Sequence, residues 1–96
     1  MRAYELMVIY SPQLDEEGLA AQIEKTKDLI VGVGGEIEKV DQWGKRRFAY
    51  EIKDYTEGFY VVIDFQAESG ATSEVERILK ITDEVVRYLL VRRNVE

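Results

Sequence analysis

An α+β fold, a four-stranded antiparallel sheet carrying two helices on one face, is predicted for this chain of 96 residues by three observations. Four segments place apolar residues at the two-residue period of strands, and two place them at helical spacing. These segments follow one another as strand, helix, strand, strand, helix, strand. A loop of hairpin size separates the second strand from the third, so the remaining connections run through the helices.

The first strand, Ala3 to Tyr10, is a short apolar run that reads as buried on both faces, with Tyr4, Leu6, Val8 and Tyr10 sharing one of them. Ser11-Pro12 stops it. Asp15 is a good N-cap for the first helix, because its carboxylate can accept a free amide of the first turn, and Leu14 and Leu19 sit at staple spacing. Leu19, Ala20, Ile23, Ile30 and Val33 continue at helical period until Gly34-Gly35 ends the helix. From Glu36 to Lys53 the chain reads as one long strand or two segments joined through a bulge at Gly44, and its charges make it an edge strand. Residues 54–58 form the hairpin loop. Phe59 to Phe65, apolar at almost every position, should be a central strand. Ser69 to Ser73 supplies capping residues for a second helix with Val75, Ile78 and Leu79 inward, and Thr82-Asp83-Glu84 turns into a last strand, Val85 to Arg92. Two right-handed crossovers with a hairpin between them give the split, ferredoxin-like βαββαβ arrangement, strand order 4-1-3-2, as one domain over 1–96.

Composition narrows the function. The chain has no cysteine and no histidine, which removes disulfides, thiolate nucleophiles, imidazole bases and Cys- or His-ligated metals. No catalytic residue, cofactor, metal or small-molecule substrate is expected. No apolar run is long enough to span a bilayer, and Met1-Arg2-Ala3-Tyr4-Glu5 does not open like a signal peptide, so no membrane association is expected. A formal charge of -6 argues on its face against nucleic acid. Divided by segment, however, residues 11–38 and 54–84 are acidic, whereas 39–53 carries +3 and 85–96 carries +2.

Ser11, Ser69 and Ser73 lie near helix starts and read as caps rather than nucleophiles. Gly32-Val33-Gly34-Gly35 follows a helix and precedes a strand, the reverse of a phosphate-cradling order, and reads as a helix stop. Gly58-Phe59-Tyr60-Val61 has a faint similarity to the stacking motif of RNA-recognition modules, but Glu57 and Val61 spoil it, and Phe59, Val61, Ile63 and Phe65 fit better as core. The sharpest local signal is Lys45-Arg46-Arg47 on the edge strand. It suits a phosphate backbone met by Arg forks and a Lys point charge, and it equally suits protection of the edge from pairing with another copy. Arg87, Arg92 and Arg93 form a second basic group on the last strand, which Arg2 can join. Met7, Ile9, Tyr60 and Val62 on the helix-free face should stay partly exposed, as a protein or RNA contact or as an ordinary sheet face.

With these residues in view, the chain resembles the family of the sixth protein of the bacterial small ribosomal subunit over essentially its whole length. The resemblance rests on Met1 to Glu5 with the strand after it, Gly44 to Ile52, Glu57-Gly58-Phe59-Tyr60, and Ile81 to Arg92. It implies a cytoplasmic, ribosome-bound structural protein that is no enzyme. It further implies binding to the central domain of the small-subunit ribosomal RNA as a heterodimer with the eighteenth small-subunit protein. By similarity, RNA contact falls on Arg2, Arg46, Arg47, Arg87 and Arg92, with Lys45, Lys53 and Arg93 added on charge and proximity. Glu51 departs from the family pattern, standing where many relatives carry proline, and the extended, often acidic tail that some members carry is not expected here. The competing class is a small ferredoxin-like regulatory or RNA-recognition module outside the ribosome. A regulatory module would need a glycine-lined ligand cleft that no loop here supplies.

Overall fold

The structure, a computed structural model, describes residues 1–93. Its elements are β1 (Arg2–Tyr10), α1 (Glu16–Gly32), β2 (Glu36–Ile52), β3 (Tyr55–Ala67), a 3-10 turn (Ser69–Ala71), α2 (Thr72–Ile81) and β4 (Val85–Arg92). All strand pairs are antiparallel and the sheet order is β2-β3-β1-β4, the ferredoxin-like order expected from the sequence.

One face of the sheet makes the core. Tyr4, Leu6, Val8 and Tyr10 of β1 and Val61, Ile63, Phe65 and Ala67 of β3 pack with Ile23 and Ile30 of α1 and Val75 and Leu79 of α2. Phe59 packs against the same cluster, so Phe59 and Phe65 face the helices and cannot serve as a base-stacking platform. The other face carries no helix. There β1 is not buried throughout as its apolar run suggests: Ala3, Glu5 and Met7 are half-buried, and only Ile9 is buried.

Local chemistry sets the element ends. Asp15 caps α1 by accepting the Gly18 amide at 2.7 Å. At its other end Gly34, with φ +89, lets the Gly35 amide reach Ile30 O at 2.9 Å and the Gly34 amide reach Val31 O at 3.0 Å, which closes the helix where the glycine pair predicts. The inward stripe of α1 is more polar than its apolar spacing suggests, since Gln22 and Thr26 are buried and Ala20 is exposed. No side chain caps α2. The Thr72 and Ser73 hydroxyls donate backwards to Ser69 O and Gly70 O because the chain enters the helix through the 3-10 turn, which corrects the capping role expected of Ser69 to Ser73.

β2 runs unbroken for 17 residues along one edge, with a bulge between Gln42 and Gly44. Gly44 there has φ +83, a conformation open to glycine and strained for most side chains. The hairpin is tighter than the five-residue loop expected. Lys53 and Asp54 alone make the turn, both with positive φ (50 and 68), and Ile52 pairs with Tyr55 across it. The compensating slack lies in β2: Arg47 pairs with Glu57 and Ile52 with Tyr55, so Phe48 to Glu51 stand opposite Thr56 alone and arch out of register.

Candidate nucleic-acid interface

The arch from Phe48 to Glu51 shapes the helix-free face. Gly58 has no side chain, and a Cβ there would lie 2.6 Å from Ile9 Cγ2 and 3.1 Å from Phe48 Cζ, so the Phe48 ring settles in the space beside Ile9. Phe48 meets the Tyr60 ring at 6.1 Å between centroids, and Trp43, pushed out by the bulge, stacks on Tyr60 at 6.3 Å with the planes 2° apart. Between the arch and β4 runs a groove of about 270 Å³ lined by Met7, Ile9, Phe48, Tyr60, Leu89 and, at its rim, Arg47 and Arg87.

This arrangement revises the apolar surface read from sequence. Of Met7, Ile9, Tyr60 and Val62, only Met7 and Tyr60 stay half-exposed; Ile9 and Val62 are 5% and 7% exposed. The accessible apolar groups are instead Trp43 (46%), Tyr50 (67%), Leu89 (56%) and Val91 (40%). Leu89 and Val91 were findable, since they alternate with Tyr88 and Leu90, which pack on the core. Trp43 and Tyr50 were not, because their exposure depends on where β2 leaves its register.

The cations divide between the two ends of the sheet. Lys45, Arg46 and Arg47 pair with Phe59, Gly58 and Glu57 at the end where β1 finishes, and Lys53 sits in the adjoining turn. Lys45 Nζ lies 5.2 Å from the Phe59 ring centroid. The Arg46 guanidinium lies 5.9 Å from the Trp43 ring while its Nε donates to Trp43 O at 3.3 Å. Arg87 pairs with Ile9 and so belongs to this same end, facing Arg47 across the groove. Its expected grouping with Arg92 and Arg93 fails, because five strand positions put roughly 17 Å between Arg87 and Arg92. Arg92 pairs with Tyr4 at the far end, two positions along from Arg2, and the Arg93 amide bonds Ala3 O at 2.8 Å.

Arg93 is already committed within the fold. Its guanidinium lies 3.3 Å from Glu38 Oε1 and 3.7 Å from Asp64 Oδ2, spanning the open face towards β2. Asp64 Oδ1, buried on the central strand, has no hydrogen-bond partner among the described residues, and the contact of Oδ2 with Arg93 is the ion pair its carboxylate makes there. Arg46, Arg47, Lys53, Arg87, Arg2 and Arg92 are all exposed, and none is in a salt bridge among the described residues. The arrangement offers cations to a polyanion and an apolar groove between them. It contains no cluster of three or more His, Cys, Asp or Glu side chains fit to hold a metal among the described residues. Nor is any described helix long and apolar enough to cross a membrane.

A sequence profile of the family described as ribosomal protein S6 matches residues 3–92. The chain is 48% identical over 94 residues to small ribosomal subunit protein bS6 of Carboxydothermus hydrogenoformans, covering 98% of both chains. To the protein of the same name from Symbiobacterium thermophilum it is 54% identical over 92 residues, covering 96% of this chain and 97% of that one. Among solved structures it is similar to 30S ribosomal protein S6 from Thermotoga maritima, with 40% identity, a TM-score of 0.92 and coverage of 96% of this chain and 87% of that one.

Proposed function

Because the chain belongs to the ribosomal protein S6 family, we propose that it is a structural constituent of the small ribosomal subunit, working in the cytoplasm as one domain over residues 1–96. It binds the central domain of the small-subunit ribosomal RNA together with the eighteenth small-subunit protein and performs no chemistry of its own.

The observation that carries this reading is the gathering of exposed cations, without salt bridges among the described residues, at one end of the sheet beside an apolar groove. Lys45, Arg46, Arg47, Lys53 and Arg87 neutralise backbone phosphates there and release their counterions. Arg2 and Arg92 do the same at the other end. Arg93 joins them only by giving up Glu38 and Asp64. Such contacts read no sequence; specificity comes from the shape of the RNA and from a second protein that orders it. The exposed Trp43, Tyr50, Leu89 and Val91, with Met7 and Tyr60 between them, form the surface for that second protein, which keeps apolar area from water and adds positive charge.

Changing Arg46 and Arg47 together to Ala tests the reading. Neither guanidinium is buried, so the fold should survive. The slope of log binding constant against log salt should flatten by up to ~2, at about 0.9 per lost phosphate contact. An unchanged slope accompanied by self-association would leave these residues only the task of keeping the β2 edge from pairing with another copy.

A further inference from the structure

The cations assigned to RNA so far all lie on the sheet or its hairpin, yet the structure adds one from the helix layer. Lys80, in the last turn of α2, lines a second groove of about 200 Å³ together with Lys53 from the β2–β3 turn and Arg87 from β4. Three elements distant in sequence thus bring three positive side chains to one depression. Its floor is carbon: Leu79, Val85 and Val86 are buried, and Tyr88 forms a wall. None of the lining residues is acidic. None of the three cations has a salt-bridge partner among the described residues.

The end of α2 beside the groove is partly neutralised. Two of the C-terminal carbonyls of α2, which would repel an anion, already accept hydrogen bonds: Leu79 O from the Thr82 amide at 3.3 Å and Ile78 O from the Thr82 hydroxyl at 2.6 Å. Glu76 does not line the groove, but its Oε1 accepts from the Tyr88 hydroxyl at 3.2 Å and sets one carboxylate behind that wall, against three cations. Arg87, moreover, lines both this groove and the groove of the open face, so the two form one track around the end of the sheet. A chain that alternates phosphates with apolar sugar faces suits alternating cations and carbon floor, and an RNA backbone is such a chain.

We propose that Lys53, Lys80 and Arg87 form a phosphate-binding groove that carries the RNA backbone from the open face of the sheet, past Arg87, onto the helix layer. The inference rests on the reading that the sheet cations meet RNA. Its test is the salt dependence of binding to a transcript of the ribosomal RNA central domain. The full chain is assayed with the eighteenth protein present, comparing the unaltered protein with Lys80→Gln and Lys80→Arg. Lys80→Gln should flatten the slope by about 0.7 to 0.9, and Lys80→Arg should preserve it. An unchanged slope in Lys80→Gln, while the Arg46 and Arg47 double change still flattens it, would overturn the groove and leave the wider reading standing. An unchanged slope in both would overturn the two together. Weakened pairing with the protein partner at constant slope would hand the groove to that protein and overturn the proposal. Because the chain has no cysteine, Lys80→Cys also admits a single tethered iron–EDTA probe. It should cleave the transcript locally, and an uncleaved transcript in a formed complex contradicts the track.

Discussion

At the scale of single residues, the sheet and α1 are pinned by a polar contact where apolar packing would be the default. The Thr26 hydroxyl donates to Gln22 O at 3.1 Å, so the Tyr10 hydroxyl, 2.6 Å from Thr26 Oγ1, is the donor of that pair. Burial pushes the Tyr10 hydroxyl up to about 12. An unfolded tyrosine gives up its proton near pH 10, whereas this one holds it two units longer, so unfolding releases a proton between those values. The stabilisation is therefore complete below pH 10 and is lost as pH rises towards 12, by about 1.4 kcal/mol per pH unit. Tyr10→Phe should cost about 1 kcal/mol at neutral pH, where a buried acceptor loses its donor, and the gap from the unaltered protein should narrow above pH 10. Denaturant unfolding at pH 8 and at pH 11 measures both effects; a constant gap would show that the hydroxyl titrates as it does in water. Sequence spacing pointed to Tyr10 as core. It gave no sign of Thr26, because a lone threonine on a helix has no apolar signature.

Among the elements, the hairpin of β2 and β3 decides what the open face offers. Asp15 as cap, Gly34 as stop, the bulge at Gly44 and the strand order were legible because each depends on local backbone chemistry or on a periodic face. The turn was not, since Lys53 and Asp54 take positive φ without a glycine, while Gly58, the residue that looks like the turn glycine, sits inside β3. Its role there is steric: it lets Phe48 and Ile9 approach above it. Gly58→Ala should push Phe48 off Ile9 and lower stability by about 1 to 3 kcal/mol, as overpacking does elsewhere. The same change should loosen the arch without altering α1 or α2. Amide exchange would show this as faster exchange confined to residues 47–60. Uniformly faster exchange, or none, would mean that the arch is not held by that contact.

Taken as a whole, the molecule separates its charges. Glu16, Glu17, Glu24 and Asp28 of α1 and Glu74 and Glu76 of α2 put acid on the helix layer, where Lys25 and Lys80 are exposed cations, and most of the exposed cations lie at the ends and edges of the sheet. Segment charges already hinted at this division, but not that Arg47 and Arg87, on strands at opposite edges, would face one groove. That pairing exists only because β2 arches over the open face. A body with net charge -6 binds a polyanion weakly by itself, since long-range repulsion opposes the local contacts. Under the proposed function, a basic partner on the open face would reverse the balance and extend the contacts. Titration of the central-domain transcript with this protein, in the presence and absence of the eighteenth small-subunit protein at one salt concentration, tests that account most directly. The expected result is weak binding by the protein alone and much tighter binding with its partner, whereas equal affinity in the two titrations would contradict it.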